Sequence, residues 1–171
     1  MPMPKTVLCM FRGLWCLAFM CAAATAQAED SPDDLVAALA QPPVASRNAS
    51  PQTPARGADL IVAFEGQTHR LTVAGMRTLR TLAAALQNAS MRDRRFAIIG
   101  HAYVPNQPTA ALPLSTQRAR AVADHLAGFY GIDPARLAEV RGEGADQLRS
   151  TDPADPMNNR IEVVNTGLAA Q

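Results

Sequence analysis

Two nearly unbroken apolar runs constrain this chain more than any other feature. They are Leu60-Ile61-Val62-Ala63-Phe64 and Phe96-Ala97-Ile98-Ile99, and each leads into a segment of helical period. Such runs of β-forming residues, without polar alternation, are expected of strands buried on both faces. After the first run, Thr72 is placed to cap a helix with Met76, Leu79, Leu82, Ala83 and Leu86 on one side. Arg77, Arg80, Thr81 and Gln87 take the other side, so this helix is amphipathic. The second run ends at Gly100, and a proline-containing loop over residues 101–113 follows. Ser115 then caps a second helix that turns Ala119, Val122, Leu126 and Phe129 inward and stops near Gly131. Asp133-Pro134, a cap followed by proline at the first helical position, opens a short third helix through Leu137. Residues 138–141 and 161–164 supply the last two strands, with Pro153 and Pro156 in the loop between them. The order β-α-β-α-(α)-β-β predicts an α/β (α+β) two-layer sandwich: a mixed four-stranded sheet with its helices on one face.

That domain spans residues 59–165, leaving a short tail at 166–171 and a long stretch before it. Residues 1–28 read as an export signal. Lys5 and Arg12 give the positive start, residues 13–24 form a compact apolar run, and Ala26-Gln27-Ala28 is a small-x-small cleavage site before Glu29. The apolar run is shorter than the ~20 residues a spanning helix needs. Residues 29–58 carry Pro32, Pro42, Pro43, Pro51 and Pro54 among small polar residues and read as a tether, within which Asp34 to Gln41 can form one short helix. Cys9, Cys16 and Cys21 all fall inside the signal, so the mature chain is expected to have neither thiol chemistry nor a disulfide. Without residues 1–28 the chain has 14 arginines, no lysine and 15 acids, a net charge of −1 in place of +1. No basic field is left to draw nucleic acid or an anionic membrane.

Little in the mature chain suggests catalysis. His69, His101 and His125 show no metal-ligand spacing, and Ser115 has no evident His and Asp partners. No metal and no cofactor is expected. Arg118 is the unusual residue: it falls in the expected first turn of the second helix, against the helix dipole, with Arg120 nearby and no adjacent acid. Free N–H groups plus a guanidinium make a site for an anion such as a carboxylate. The other reading is a structural arginine paired with Glu143 or Asp146.

Six pieces in order then carry a resemblance. Gly100-His101 closes a strand and Leu114-Ser115-x-x-Arg118-Ala119 opens a helix containing Val122 and Leu126. Gly131-Ile132-Asp133, Arg136-Leu137, Gly142-x-Gly144 and Asn158-x-Arg160-Ile161-Glu162 follow. Together they resemble the OmpA-like C-terminal domain over about residues 59–164. The resemblance implies non-covalent binding of peptidoglycan, without turnover, at the diaminopimelate residue of the peptide stem. It further implies a periplasmic, wall-associated location, with the outer membrane and other envelope proteins nearby. Such a ligand end carries an ammonium and a carboxylate. The family meets them with the Asp of a Gly-His-Thr-Asp motif and the Arg of Leu-Ser-x-x-Arg-Ala. Arg118 matches the second, whereas Tyr103 stands where the Asp belongs and Ala111 where an Asn is common.

A hydrogen bond to a charged group contributes roughly 1.5–3 kcal/mol, so losing that acceptor weakens binding about ten- to a hundredfold unless another acid substitutes. Glu65, just beyond the first strand, is the candidate substitute. The expected ligand-binding residues are therefore Arg118, Tyr103 and Glu65. The alternative is a degenerate OmpA-like domain that has become a periplasmic protein-interaction or assembly module.

Overall fold

The computed structural model describes residues 31–40, 57–152 and 155–168. The export signal, most of the proline-rich stretch before residue 57 and Pro153 lie outside them. Strands β1 (Gly57–Leu60), β2 (Arg94–Gly100), β3 (Leu137–Gly142) and β4 (Ile161–Leu168) form one sheet in the order β1-β4-β2-β3. β4 is antiparallel to both β1 and β2, while β2 and β3 are parallel. Three α-helices, α1 (Pro32–Ala40), α2 (Val73–Gln87) and α3 (Pro108–Tyr130), and three short 3-10 turns make up the other elements of the described residues. α2 crosses from β1 to β2 over the slot that β4 fills, and α3 makes the crossover the parallel β2–β3 pair requires. This is the mixed α+β architecture that the periodicity implies.

The core sits between helices and sheet. Leu79, Leu82, Ala83 and Leu86 of α2 and Ala119, Val122 and Leu126 of α3 pack on Phe96, Ile98, Ile161 and Val163. Thr72 caps α2 as expected, its hydroxyl accepting from the Gly75 N–H. Asp133 likewise accepts from Ala135 N–H and starts a single 3-10 turn, Pro134–Arg136, rather than an α-helix. The short helix expected within the tether forms as α1 and is docked. Leu35 and Leu39 are buried in the core, and Asn165 Nδ2 donates to the Leu39 carbonyl at 2.8 Å.

Four expectations need correction. β1 ends at Leu60, and Ile61 is 57% exposed, so the first apolar run is not one strand buried on both faces. Phe64 instead pairs with Leu71 across a tight hairpin, and that connection returns the chain to α2. Met76 is exposed, and so is Phe129, which is 74% accessible and stacks on His125. Phe129 follows the buried stripe of α3 in spacing but points outward, and Tyr130 and Ile132 pack against the core at this end of the helix instead.

The largest correction concerns α3. It begins at Pro108, not at Ser115, with Pro108 in the first turn and Pro113 inside the helix. Proline is compatible with a first turn because the N–H it lacks has no intrahelical partner there. Ser115 is thus not a cap. Its hydroxyl donates to Leu112 O and accepts from the buried Gly144 N–H at 2.9 Å, tying α3 to the loop after β3. A Cβ at Gly100 would collide with the Ser115 carbonyl, and one at Gly142 with the Ser115 side chain. Glycine at these two positions lets α3 lie directly on β2 and β3.

Candidate functional site

The early start of α3 moves Arg118 about three turns into the helix, away from its N-terminus. The dipole argument for an anion site therefore fails. Arg118 instead occupies the buried stripe formed by Ala111, Leu114, Ser115, Ala119, Val122 and Leu126, and it is only 5% exposed. Neither Glu143 nor Asp146 pairs with it; Glu143 pairs with Arg141. Its Nε donates to Thr68 O at 2.9 Å, Nη2 to Gly66 O at 2.8 Å and Nη1 to Asn159 Oδ1 at 3.1 Å. The guanidinium also lies over the Phe64 ring, 4.8 Å from its centroid.

All three hydrogen-bond partners are neutral. Among the described residues no carboxylate lies within ion-pair distance of Arg118, and burial lowers its pKa from the ordinary arginine value. An arginine does not deprotonate in a protein, so the charge stays and is held by dipoles alone. Arg136 makes a useful comparison. It also grips carbonyls, of Leu86, Met91 and Arg94, and lies over Phe96. Desolvation lowers its pKa too, but Asp133 and Asp93 act against that. Arg118 has no such acids.

The hairpin of residues 65–70 forms the outer wall of this site. Glu65 N–H donates to Arg70 O, Thr68 N–H to Glu65 O, and the Thr68 hydroxyl to Glu65 O while accepting from Arg70 N–H. Gly66 turns the chain at φ 54°, a left-handed conformation that disfavours any side chain. Phe64 and Leu71 close its base. The Glu65 carboxylate is exposed and sits 3.4 Å from Arg70 Nε.

Of the three residues expected from sequence, Arg118 and the Glu65 hairpin are joined through Gly66 and Thr68. Tyr103 is joined less directly: its backbone N–H donates to Asn159 Oδ1 at 3.3 Å, the same atom that accepts from Arg118. No contact joins the Tyr103 hydroxyl, the Glu65 carboxylate and the guanidinium to one another among the described residues. Asn159 is the residue that sequence reasoning passed over, as the unspecified position in Asn158-x-Arg160. Its neighbours in that motif are structural. Asn158 accepts from Arg149 N–H and Ser150 N–H and donates to Asp152 O, which shapes the loop before β4.

His101, at the end of β2, is buried with its Nε2 3.3 Å from Glu162 Oε2, and its Nδ1 has no partner among the described residues. Strand alternation turns Ile161 and Val163 toward the helices and Glu162 to the opposite face. There Asp59 receives Arg160 Nε at 3.3 Å and Arg149 Nη2 at 2.7 Å. Burial pushes the Glu162 carboxyl up, but the His101 hydrogen bond and the charges of His101, Arg149 and Arg160 outweigh it, leaving its pKa below the ordinary value. Among the described residues there is no group of three or more metal-ligating side chains, and no helix is long and apolar enough to cross a membrane.

Comparison with known proteins agrees with this architecture. The OmpA family profile matches residues 63–162. The sequence has no significant match among curated proteins. Among solved structures the chain is similar to the OmpA-like domain of FopA1 from Francisella tularensis subsp. tularensis SCHU S4, at 24% identity and TM-score 0.50, covering 64% of this chain and 71% of that one. It is also similar to the periplasmic domain of Helicobacter pylori MotB, at 18% identity and TM-score 0.55, covering 67% and 78%. A putative MotB like protein from Desulfovibrio vulgaris follows at 23% identity and TM-score 0.51, covering 64% and 69%. The profile spans more than half of the chain, through α2, β2, α3 and β3 to the start of β4: the protein belongs to the OmpA family.

Proposed function

We propose that this chain is a non-catalytic cell-envelope module that binds peptidoglycan non-covalently at the diaminopimelate end of the peptide stem. The observation that carries the reading is a buried cation, Arg118, with no acid beside it among the described residues. Family membership adds the setting, since OmpA-like domains are in general binding modules. Two of the three engaged guanidinium N–H groups donate to the Gly66 and Thr68 carbonyls, which a ligand carboxylate can replace. Tyr103 offers a hydroxyl where the family carries its acid, and Glu65 is the carboxylate available for the ligand ammonium. The protein acts in the periplasm, after export and removal of residues 1–28 at Ala28.

A second reading has its own support. Tyr103 in place of the acid, and the use of Arg118 to hold the chain's own hairpin, fit a module that keeps the fold for protein interaction or assembly. Retention on purified sacculi separates the two. Wild type should be retained above a control protein, Arg118→Ala should not be, and Tyr103→Asp should raise retention about ten- to a hundredfold. In a double-mutant cycle that gain should largely vanish without Arg118. If wild type and Tyr103→Asp are both washed off like the control, the peptidoglycan reading is wrong and the interaction module replaces it.

A further inference from the structure

The geometry points to a self-occupied site: the hairpin tip, residues 66–70, stands in for a zwitterionic ligand between Arg118 and Glu65, and an incoming peptide stem must displace it. This rests on the peptidoglycan reading and concerns the regulation of that same site. A ligand with one carboxylate and one ammonium offers two acceptor oxygens to a guanidinium and a cation to an acid. The hairpin offers both. The Gly66 and Thr68 carbonyl oxygens lie on Arg118 Nη2 and Nε at 2.8 and 2.9 Å, where a carboxylate would put its two oxygens. Two residues further on, Arg70 Nε lies 3.4 Å from Glu65 Oε2, the place of an ammonium.

The two mimics differ in strength from what they replace. A carboxylate bound to a guanidinium makes shorter and stronger hydrogen bonds than two neutral carbonyls do. The Glu65–Arg70 pair is largely exposed, with 54% and 75% of its side chains accessible, and exposed pairs are weak. The hairpin is held within itself by one bridge at its base, two backbone hydrogen bonds, the Thr68 hydroxyl and a turn at Gly66, and all its residues from 65 to 70 are exposed. It therefore satisfies the buried cation in the absence of ligand and still gives way to a better anion. Apparent affinity is reduced by the fraction of molecules in which the hairpin is closed.

The test weakens the hairpin while leaving Arg118 and Glu65 in place, using the full mature chain and purified sacculi. Gly66→Ala places a Cβ at positive φ, and Thr68→Val removes the hydroxyl that joins both sides of the turn. Each should bind sacculi roughly five-fold tighter than wild type, because the strain falls on the closed form alone. Arg70→Ala, which unmasks Glu65, should give about a two-fold gain. Hydrogen exchange supplies a second readout. Added muropeptide ending in diaminopimelate should speed exchange of the amides at residues 65–70, whereas a hairpin that simply contacts ligand would be protected. If Arg118→Ala abolishes binding but the loosened hairpins bind no better and their amides slow on ligand addition, self-occupancy is wrong and the binding reading survives. If neither wild type nor the loosened variants bind, both fall.

Discussion

Arg118 and Arg160 are two buried arginines at opposite faces of the sheet, balanced by different means. Arg160 is 3% exposed and shares the Asp59 carboxylate with Arg149, while Glu162 and His101 complete the cluster. Its Nη1 also donates to Gln147 O, which fixes the loop before β4. Burial lowers its pKa first, and Asp59 acts against that. Arg118 is equally buried but faces two carbonyls, an amide oxygen and an aromatic ring. Asp59 paired with Arg160, with the Glu162 charge close by, sets acids against this cation, although its Nη2 is buried without a partner among the described residues. Dipoles alone around Arg118 leave a net charge inside the protein. That difference separates a residue serving the fold from one able to serve a ligand.

The largest effects should appear when the two are mutated in parallel. Arg160→Ala removes a buried cation from beside Asp59 and Glu162, which keep only Arg149 and His101, and losing a hydrogen bond to a charged group costs about 1.5–3 kcal/mol. Arg118→Ala strands no opposite charge, and the carbonyls it releases belong to an exposed hairpin that water can reach. Its cost should be about 1 kcal/mol. Urea melts should show a clearly lower midpoint for the first and a smaller shift for the second, at unchanged slope. Equal losses would erase the distinction and make Arg118 a structural staple like Arg136.

A smaller effect is expected from acid. The Glu162 carboxyl is depressed in the folded state, so its contribution to stability is fully present above the unfolded carboxyl pKa of about 4.3 and is lost as pH falls below it. Glu162→Gln should flatten this acid limb of the stability curve. Arg118 lacks a carboxylate partner among the described residues, so Arg118→Ala should leave the limb's shape alone. A limb that is unchanged by Glu162→Gln would remove Glu162 from the cluster's electrostatics.

The same contrast explains what the sequence discloses. The sheet, its crossovers and the caps at Thr72 and Asp133 are local patterns, and period plus cap chemistry is enough to read them. α3 was harder because Pro108 and Pro113 resemble loop punctuation, although proline near a helix start costs little. Moving that start by two turns also changed the meaning of Ser115, from a cap to a hydroxyl that holds Gly144. Arg118 stood out as a cation without an adjacent acid, and that much survives. Its partners did not stand out, because Gly66 and Thr68 act through backbone carbonyls some fifty residues away. Asn159 was hidden between two residues of a motif whose own roles are structural.

The central claim is that the Arg118 guanidinium accepts an anion from outside the protein. The most direct measurement is the Arg118 Nε–H resonance in wild type, followed while a muropeptide ending in diaminopimelate is added. The account predicts a saturable shift as the Thr68 carbonyl is exchanged for a carboxylate, with the same apparent affinity as retention on sacculi. An Nε–H signal that stays unmoved at ligand concentrations where the protein is bound to sacculi would place binding elsewhere and contradict the claim.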